Sequence, residues 1–357
     1  MVERFKISTT NFIQLLQKLL ADHTIDAVLS GTEKGNRYTI VPQLVKDPKE
    51  LEKFPITQLF TYNFARLDSA ANFMLHTPEA QQLKIAIVGH ACDIRALVEL
   101  SKKAQVKWDH IFLIAFEDVG YINVTPMMKF LKAQNINAAD LVGERLTAQK
   151  LMLKLKDGSR KEFLLGKDIN VTENCSRCIQ KTHPLADLVI GQYGLPETEE
   201  NWIITPQTDR AKKMATELKW SPTDGQKYEA EAKAIIENCQ KKRTTELDAF
   251  NSSTDRFQRL AKCTGCGMCV KSCPVCFCVD CNLLAQVKAK TMDKTTFLMT
   301  RFGHIGDTCV ECGKCDANCP VGVPLALVFQ SIRRRLKEHR KYEAGRDTKE
   351  KVLHLVP

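Results

Sequence analysis

The chain has 357 residues, 44% of them hydrophobic and 26% charged, which is the balance of a globular protein with room for two or three domains. Fifteen cysteines without a basic, apolar, small-residue leader argue for a reducing compartment and metal-bound thiolates, against a secreted disulfide framework. No apolar run approaches the roughly 20 residues that span a bilayer, so a cytoplasmic, at most peripheral, protein is expected; the formal net charge of +10 leaves nucleic acid or an acidic partner open.

Ser8-Thr9-Thr10-Asn11 reads as a helix cap before Phe12, Leu15, Leu16, Leu19 and Leu20 at helical spacing. Asp26 to Ser30 and Arg37 to Val41 read as short strands around a Gly31 to Gly35 turn. Phe64, Leu67, Ala71 and Met74 suggest a second helix. Lys84 to Gly89 is a buried-type strand running through His90-Ala91-Cys92 into a helix marked by Ile94, Leu97, Val98 and Leu100. A second such strand, Ile111 to Phe116, ends in Glu117-Asp118-Val119-Gly120. Strand, helix, strand in this order is a βαβ unit, which gathers functional groups where strands end and helices begin. Cys92 and Asp118 stand at two such ends.

Leu151 to Leu155 and Glu162 to Leu165 flank Asp157-Gly158, a hairpin signal. Cys175-Ser176-Arg177-Cys178 is a Cys-x2-Cys pair. Thr205 and Pro206 read as the cap and first turn of a helix. From about Thr223 to Phe250 the chain is charged and helical, a connector on which Cys239 reads as an inert thiol.

The most informative stretch follows. Cys263, Cys266, Cys269 and Cys273 precede Pro274, and Cys309, Cys312, Cys315 and Cys319 precede Pro320, so the pattern C-x2-C-x2-C-x3-C-P occurs twice. Bacterial ferredoxins hold 4Fe-4S clusters with this run, the fourth cysteine of each run ligating the cluster of the other. One cluster is therefore assigned to Cys263, Cys266, Cys269 and Cys319, the other to Cys309, Cys312, Cys315 and Cys273. Zinc also takes C-x2-C pairs, but three evenly spaced cysteines plus Cys-Pro, repeated, favour iron. Gly265, Gly267 and Gly313 suit a tight turn that offers N–H groups to the cluster sulfurs. Between the runs, Cys276, Cys278 and Cys281 exceed what two clusters need, and metal ligation by at least one of them is expected. Beyond Pro324 a helix carries Leu325, Val328, Phe329, Ile332 and Leu336 on one stripe; from about Tyr342 the chain reads as a flexible tail or a partner-bound arm. Each all-thiolate cluster adds about two negative charges when oxidised, so the basic excess is largely offset. The basic run at Arg333 to Lys341 then reads as a solvated helix face, and nucleic acid is not expected.

Val88 to Leu97, Cys175 and Cys178 with Ala186-Asp187-Leu188, and Cys263 through Cys281 together resemble the beta subunits of coenzyme F420-dependent hydrogenase and formate dehydrogenase, especially formate dehydrogenase beta subunits with a ferredoxin module. The resemblance implies a mixed-sheet α/β domain with βαβ units over 1–222, a helical connector over 223–254, an α+β bacterial-type dicluster ferredoxin domain over 255–340 and a tail over 341–357. It also implies FAD near a 4Fe-4S cluster, with Thr9, Thr10 and His90 as candidate cofactor contacts. Thr9-Thr10 stands where the family often has Gly-Gly, and Glu117-Asp118 where it often has a cysteine. A third cluster is expected on Cys92, Cys175 and Cys178, its fourth ligand being Asp118 or one of Cys276, Cys278 and Cys281. Two functions follow. One is an electron-transfer subunit partnered with a formate dehydrogenase, a hydrogenase or a heterodisulfide-reductase-like flavoprotein, and it is preferred because the glycine pair is missing. The other is an FAD-containing catalytic subunit that oxidises or reduces coenzyme F420 or NAD(P)H.

Overall fold

The structure, a computed structural model, describes residues 3–65 and 67–353. Eleven strands are present among the described residues: β1 (Phe5–Ile7), β2 (Ala27–Glu33), β3 (Ile40–Val45), β4 (Ile85–His90), β5 (Ile111–Glu117), β6 (Leu141–Leu146), β7 (Lys150–Leu155), β8 (Arg160–Leu164), β9 (Leu188–Gly191), β10 (Trp202–Pro206) and β11 (Ser221–Pro222). Eight of them form one mixed sheet in the order β11-β1-β10-β9-β5-β4-β2-β3. Its centre, β2, β4, β5 and β9, is parallel, and β3 and β10 flank that centre antiparallel. The continuous apolar runs Ile85–Val88 and Ile111–Phe116 are buried throughout, as strands covered on both faces must be.

The expected hairpin is the β7–β8 pair, with Lys154 opposite Arg160, and β6 completes a separate three-stranded sheet. Thr205 and Pro206 do not open a helix. They end β10, where Pro206 pairs with Leu188, and the helix begins at Asp209 after an N-cap at Thr208. The apolar Trp202-Ile203-Ile204 run seals this outcome, since a buried strand outweighs the cap signal of a Thr-Pro pair. The second helix is displaced as well: it runs Ala70–His76, capped by Ser69.

The charged segment forms a single helix, Gln226–Ser252, that lays a narrow stripe of Tyr228, Ile235, Cys239, Arg243, Leu247 and Phe250 against the rest of the protein. After it come the cysteine runs, with the helices Asn282–Ala289 and Lys294–Ile305 between them, and the closing helix Leu325–Arg340. The segment after Lys341, read as a flexible tail or a partner-bound arm, folds back onto the first domain. Tyr342 and Ala344 are buried, Gly345 N donates to Glu99 Oε1 at 2.6 Å, and Arg95 Nη2 donates to the Ala344 carbonyl at 3.1 Å. One apolar core runs continuously from Phe5 to Phe329. No helix among the described residues is long and apolar enough to cross a membrane.

Candidate metal centres

The two runs fold alike. Gly267 and Gly313 share the same left-handed backbone, φ 74 and ψ 2, and each immediately precedes a short helix that carries the third cysteine. Gly265 N lies 3.4 Å from Cys263 Sγ, and Glu311 N lies 3.4 Å from Cys309 Sγ, as expected of turns whose amides point at sulfur. Glu311 occupies with φ 57 the position that Gly265 fills with φ 67. Its cost is met by the fixed surroundings: Arg243 donates two hydrogen bonds to its carboxylate, at 2.7 and 3.0 Å, and Asn174 Nδ2 donates to its carbonyl at 2.6 Å.

Two cavities result. One is lined by Cys263, Cys266, Cys269 and Cys319, the other by Cys273, Cys309, Cys312 and Cys315. Each thus combines three cysteines of one run with the fourth of the other, the exchange by which such runs hold 4Fe-4S clusters. Burial pushes the Cys269 thiol up to about 11 and the Cys312 thiol up to about 12, so without a cation these sulfurs stay protonated, and a bound metal is what deprotonates them. The donor set therefore fits clusters. Cys276 belongs to this region: it is hydrogen-bonded to Cys273, which lowers the Cys273 thiol, and Arg301 Nη1 donates to Cys276 Sγ at 3.0 Å. Cys278 is exposed and Cys281 half-buried.

Cys92 lies within electrostatic reach of Cys175 and Cys178. Cys92 sits in the first turn of the helix Ala91–Lys102 at the end of β4. Burial raises its thiol well above the ordinary range, and Asp93, Cys312, Cys175 and Cys178 add to the rise. Cys175 belongs to a one-turn helix, Glu173–Ser176, capped by Thr172, and packs under Gly120, where a Cβ would meet Cys175 Cβ at 2.4 Å. Lys181, buried, donates to the carbonyls of Val119 at 2.8 Å and Cys175 at 2.9 Å. A charged amine in so dry a place needs a negative partner, and Asp118 is within its electrostatic reach, together with Cys178 and Cys175. The trio adjoins the second cage: Tyr121 Oη donates to the Cys312 carbonyl at 3.2 Å.

Asp118 lies at the end of β5 as expected, but it faces His90, whose Nδ1 is 2.6 Å from Asp118 Oδ2. Burial works against the imidazolium there, yet the carboxylate outweighs it and the net shift is upward. Thr9, Thr10 and His90 are not brought together. Thr10 is exposed, while Thr9 lines a separate cavity with Gly143, Glu144, Arg145 and Trp202. An aromatic series, Trp202–Phe60–Phe116–His90, lies between them, with ring centroids 5.2 to 5.5 Å apart. The Thr9 cavity does not suit a flavin pyrophosphate. The Thr9 hydroxyl accepts from Trp202 Nε1 at 2.9 Å, Glu197, Glu199 and Glu200 line the wall, and Arg145, Lys154 and Arg160 are engaged by that same acidic segment.

Two family profiles match the sequence. That for the C-terminal part of the coenzyme F420 hydrogenase/dehydrogenase beta chain covers residues 82–219, and that for the 4Fe-4S dicluster domain covers residues 259–323. The chain thus carries a region similar to the C-terminal part of F420 hydrogenase/dehydrogenase beta subunits, followed by a region similar to 4Fe-4S dicluster domains. An F420-dependent formate dehydrogenase subunit beta of Methanocaldococcus jannaschii is 26% identical over 354 residues, covering 93% of this chain and 90% of the relative. An F420-dependent formate dehydrogenase 1 subunit beta of Methanococcus maripaludis is 28% identical over 290 residues, 75% of this chain and 74% of its own length. Among solved structures, a chain of the F420-reducing NiFe hydrogenase complex from Methanosarcina barkeri shares the fold with a TM-score of 0.57 at 13% identity, across 69% of this chain and 91% of that one.

Sequence reasoning missed one residue of this neighbourhood. Cys239, read as inert, is buried, and its Sγ lies 3.9 Å from the Cys175 carbonyl. The available signal was its place on the helix, four residues from both Ile235 and Arg243 on the buried stripe.

Proposed function

We propose that the chain is an iron-sulfur electron-transfer subunit of a multi-subunit oxidoreductase of the formate dehydrogenase, hydrogenase or heterodisulfide-reductase-like kind. The observation that carries this reading is the continuity of the cysteine groups: the two cages share one fold repeat, and Cys92 of the first-domain trio adjoins Cys312 of the second cage. Bound 4Fe-4S clusters supply one-electron carriers. The chain's own residues hold and insulate them: Cys263, Cys266, Cys269 and Cys319 hold one, Cys309, Cys312, Cys315 and Cys273 a second, and Cys92, Cys175 and Cys178 contribute to a third. Arg301 and Lys181, both buried, place positive charge beside the second cage and the trio, which favours the more negative, reduced charge state.

The first cage is the one turned outward, since Cys266 is exposed. The exposed apolar side chains Phe257, Val279, Met299 and Val321 sit on the segments that frame it, which suits docking of a partner subunit there. Flavin then belongs to the exchange with a partner rather than to the Thr9 cavity, whose charges oppose it. The relatives' names favour the second reading, a catalytic flavoprotein using coenzyme F420. Anaerobic purification with native partners, followed by iron and flavin analysis of the separated chain, tests both. The expected outcome is about twelve irons per chain, substoichiometric FAD and slow dye reduction by reduced F420 or NADH. Stoichiometric FAD with rapid dye reduction by either coenzyme would replace the relay reading with the catalytic one.

A further inference from the structure

We propose that Cys239, on the long connector helix, is the fourth thiolate of the 4Fe-4S site formed by Cys92, Cys175 and Cys178. This rests on the third-cluster reading above and goes beyond it, because it removes the need for a carboxylate ligand. The site then draws one cysteine from the start of a helix at the sheet, two from the 175–178 loop and one from the connector.

Position comes first. Cys239 is only 6% exposed, its Sγ is 3.9 Å from the Cys175 carbonyl, and both Lys181 and Cys178 lie within its electrostatic reach. Lys181 is buried and has Cys178, Cys175, Asp118 and Cys239 as its electrostatic partners, so sulfurs that ligation would make anionic have a cation near them, as an all-thiolate cluster in a dry site requires.

Rigidity is the second argument. Arg177, which stands between Cys175 and Cys178, donates through Nη1 to Glu246 Oε2 at 2.9 Å and through Nε to Gln330 Oε1 at 2.8 Å. Arg243, one helical turn beyond Cys239, holds Glu311 of the second cage. The helix face bearing Cys239 is thus fixed both to the 175–178 loop and to the neighbouring cage.

Two of the competing donors are occupied elsewhere. The Asp118 carboxylate is held by His90 at 2.6 Å. Cys276 is bonded to Arg301 and Cys273 beside the second cage, and Cys278 is exposed. No three metal-binding side chains among the described residues are gathered tightly enough to share a single ion; the ligand proposed for these four cysteines is a cluster, whose four irons each take one thiolate. Ligation exchanges each S–H proton for an iron–sulfur bond, and the released proton passes to solvent.

The test is anaerobic iron and sulfide counting with EPR on the full chain and its variants. The wild-type count addresses the third cluster itself: about eight irons rather than about twelve overturns that reading and this inference with it. Given about twelve, Cys239→Ser is expected to lose between about one and four irons, with a three-iron signal or no third signal, while the two ferredoxin-type signals persist as an internal control of folding. Asp118→Asn is expected to keep the full count. Full iron with an unchanged spectrum in Cys239→Ser, or loss of the third cluster in Asp118→Asn alone, overturns the assignment while leaving the third cluster standing. Should Cys239→Ser fail to fold, Cys239→Asp, which retains a ligating group, decides: a shifted third-cluster spectrum supports ligation, and an unshifted one refutes it.

Discussion

Replacing Arg243 with methionine isolates what fastens the connector helix to the second cage. The two side chains of the Arg243–Glu311 pair are only 10% and 7% exposed, and the guanidinium donates to both carboxylate oxygens, at 2.7 and 3.0 Å. Removing one member of such a pair leaves a buried charge without compensation and costs about 3–5 kcal/mol. Glu311 is also held at φ 57, where Gly265 of the first run has φ 67; a side chain in that region costs roughly 1–2 kcal/mol, so the residue is kept there against its backbone preference. Anaerobic urea denaturation followed by circular dichroism measures the result. Arg243→Met should lose about 3–5 kcal/mol, and adding Glu311→Gly should recover most of it, because the orphaned carboxylate and the strained side chain leave together. A loss below about 1 kcal/mol in the single variant, or no recovery in the double, refutes the reasoning.

Two further outcomes follow from the same contacts. Burial lowers the pKa of His183 to about 4 from an ordinary value of 6.5, while its Nε2 donates to the Gly345 carbonyl at 2.5 Å. Above pH 6.5 the ring is neutral in both states; below it the unfolded chain binds the proton first. Stability should therefore fall between about pH 6.5 and 4, by up to roughly 3 kcal/mol. His183→Gln should flatten that limb, with an unaltered slope counting against the assignment. Gly120→Ala forces a Cβ to within 2.4 Å of Cys175 Cβ at φ 126, so it should cost at least about 1–3 kcal/mol in backbone strain alone; a denaturation midpoint equal to wild type would show that the 175–178 loop is not seated as described.

The cage cysteines were legible because their chemistry is local: spacing along the chain is itself the ligand geometry, and the exchange of Cys273 and Cys319 follows from the motif. The βαβ centre was legible for a similar reason, since Ile85–Val88 and Ile111–Phe116 are apolar without alternation. What was not legible depends on distance in space. β10 was hidden because Thr205-Pro206 mimics a helix start, while the partner that makes it a strand, β9, is supplied by the fold. The seating of Tyr342 to Gly345 was hidden because its anchors, Arg95, Glu99 and His183, lie far away in sequence. Cys239 was hidden because its neighbours come from a loop more than sixty residues earlier.

These long-range contacts also explain why the second cage is the fixed one. Arg95 Nη1 donates to the Val310 carbonyl at 2.8 Å, Lys314 Nζ to the Phe64 carbonyl at 3.2 Å and Asn174 Nδ2 to the Glu311 carbonyl at 2.6 Å. Each bond ends on backbone of the Val310–Lys314 turn or begins from its lysine, so this turn is built into the first domain. The first cage has different surroundings. Lys294 Nζ donates to the Ala261 carbonyl at 3.0 Å and Arg301 Nη2 to the Cys269 carbonyl at 3.0 Å, both from the helix Lys294–Ile305 that lies between the runs. The insertion therefore helps to frame both cages, since Arg301 and Ile305 also line the second, but only the second is tied to the sheet domain by the bonds named above. Substitutions at the surface of the first cage should disturb partner contact with little effect on the fold, while substitutions around Val310–Lys314 act on both domains at once.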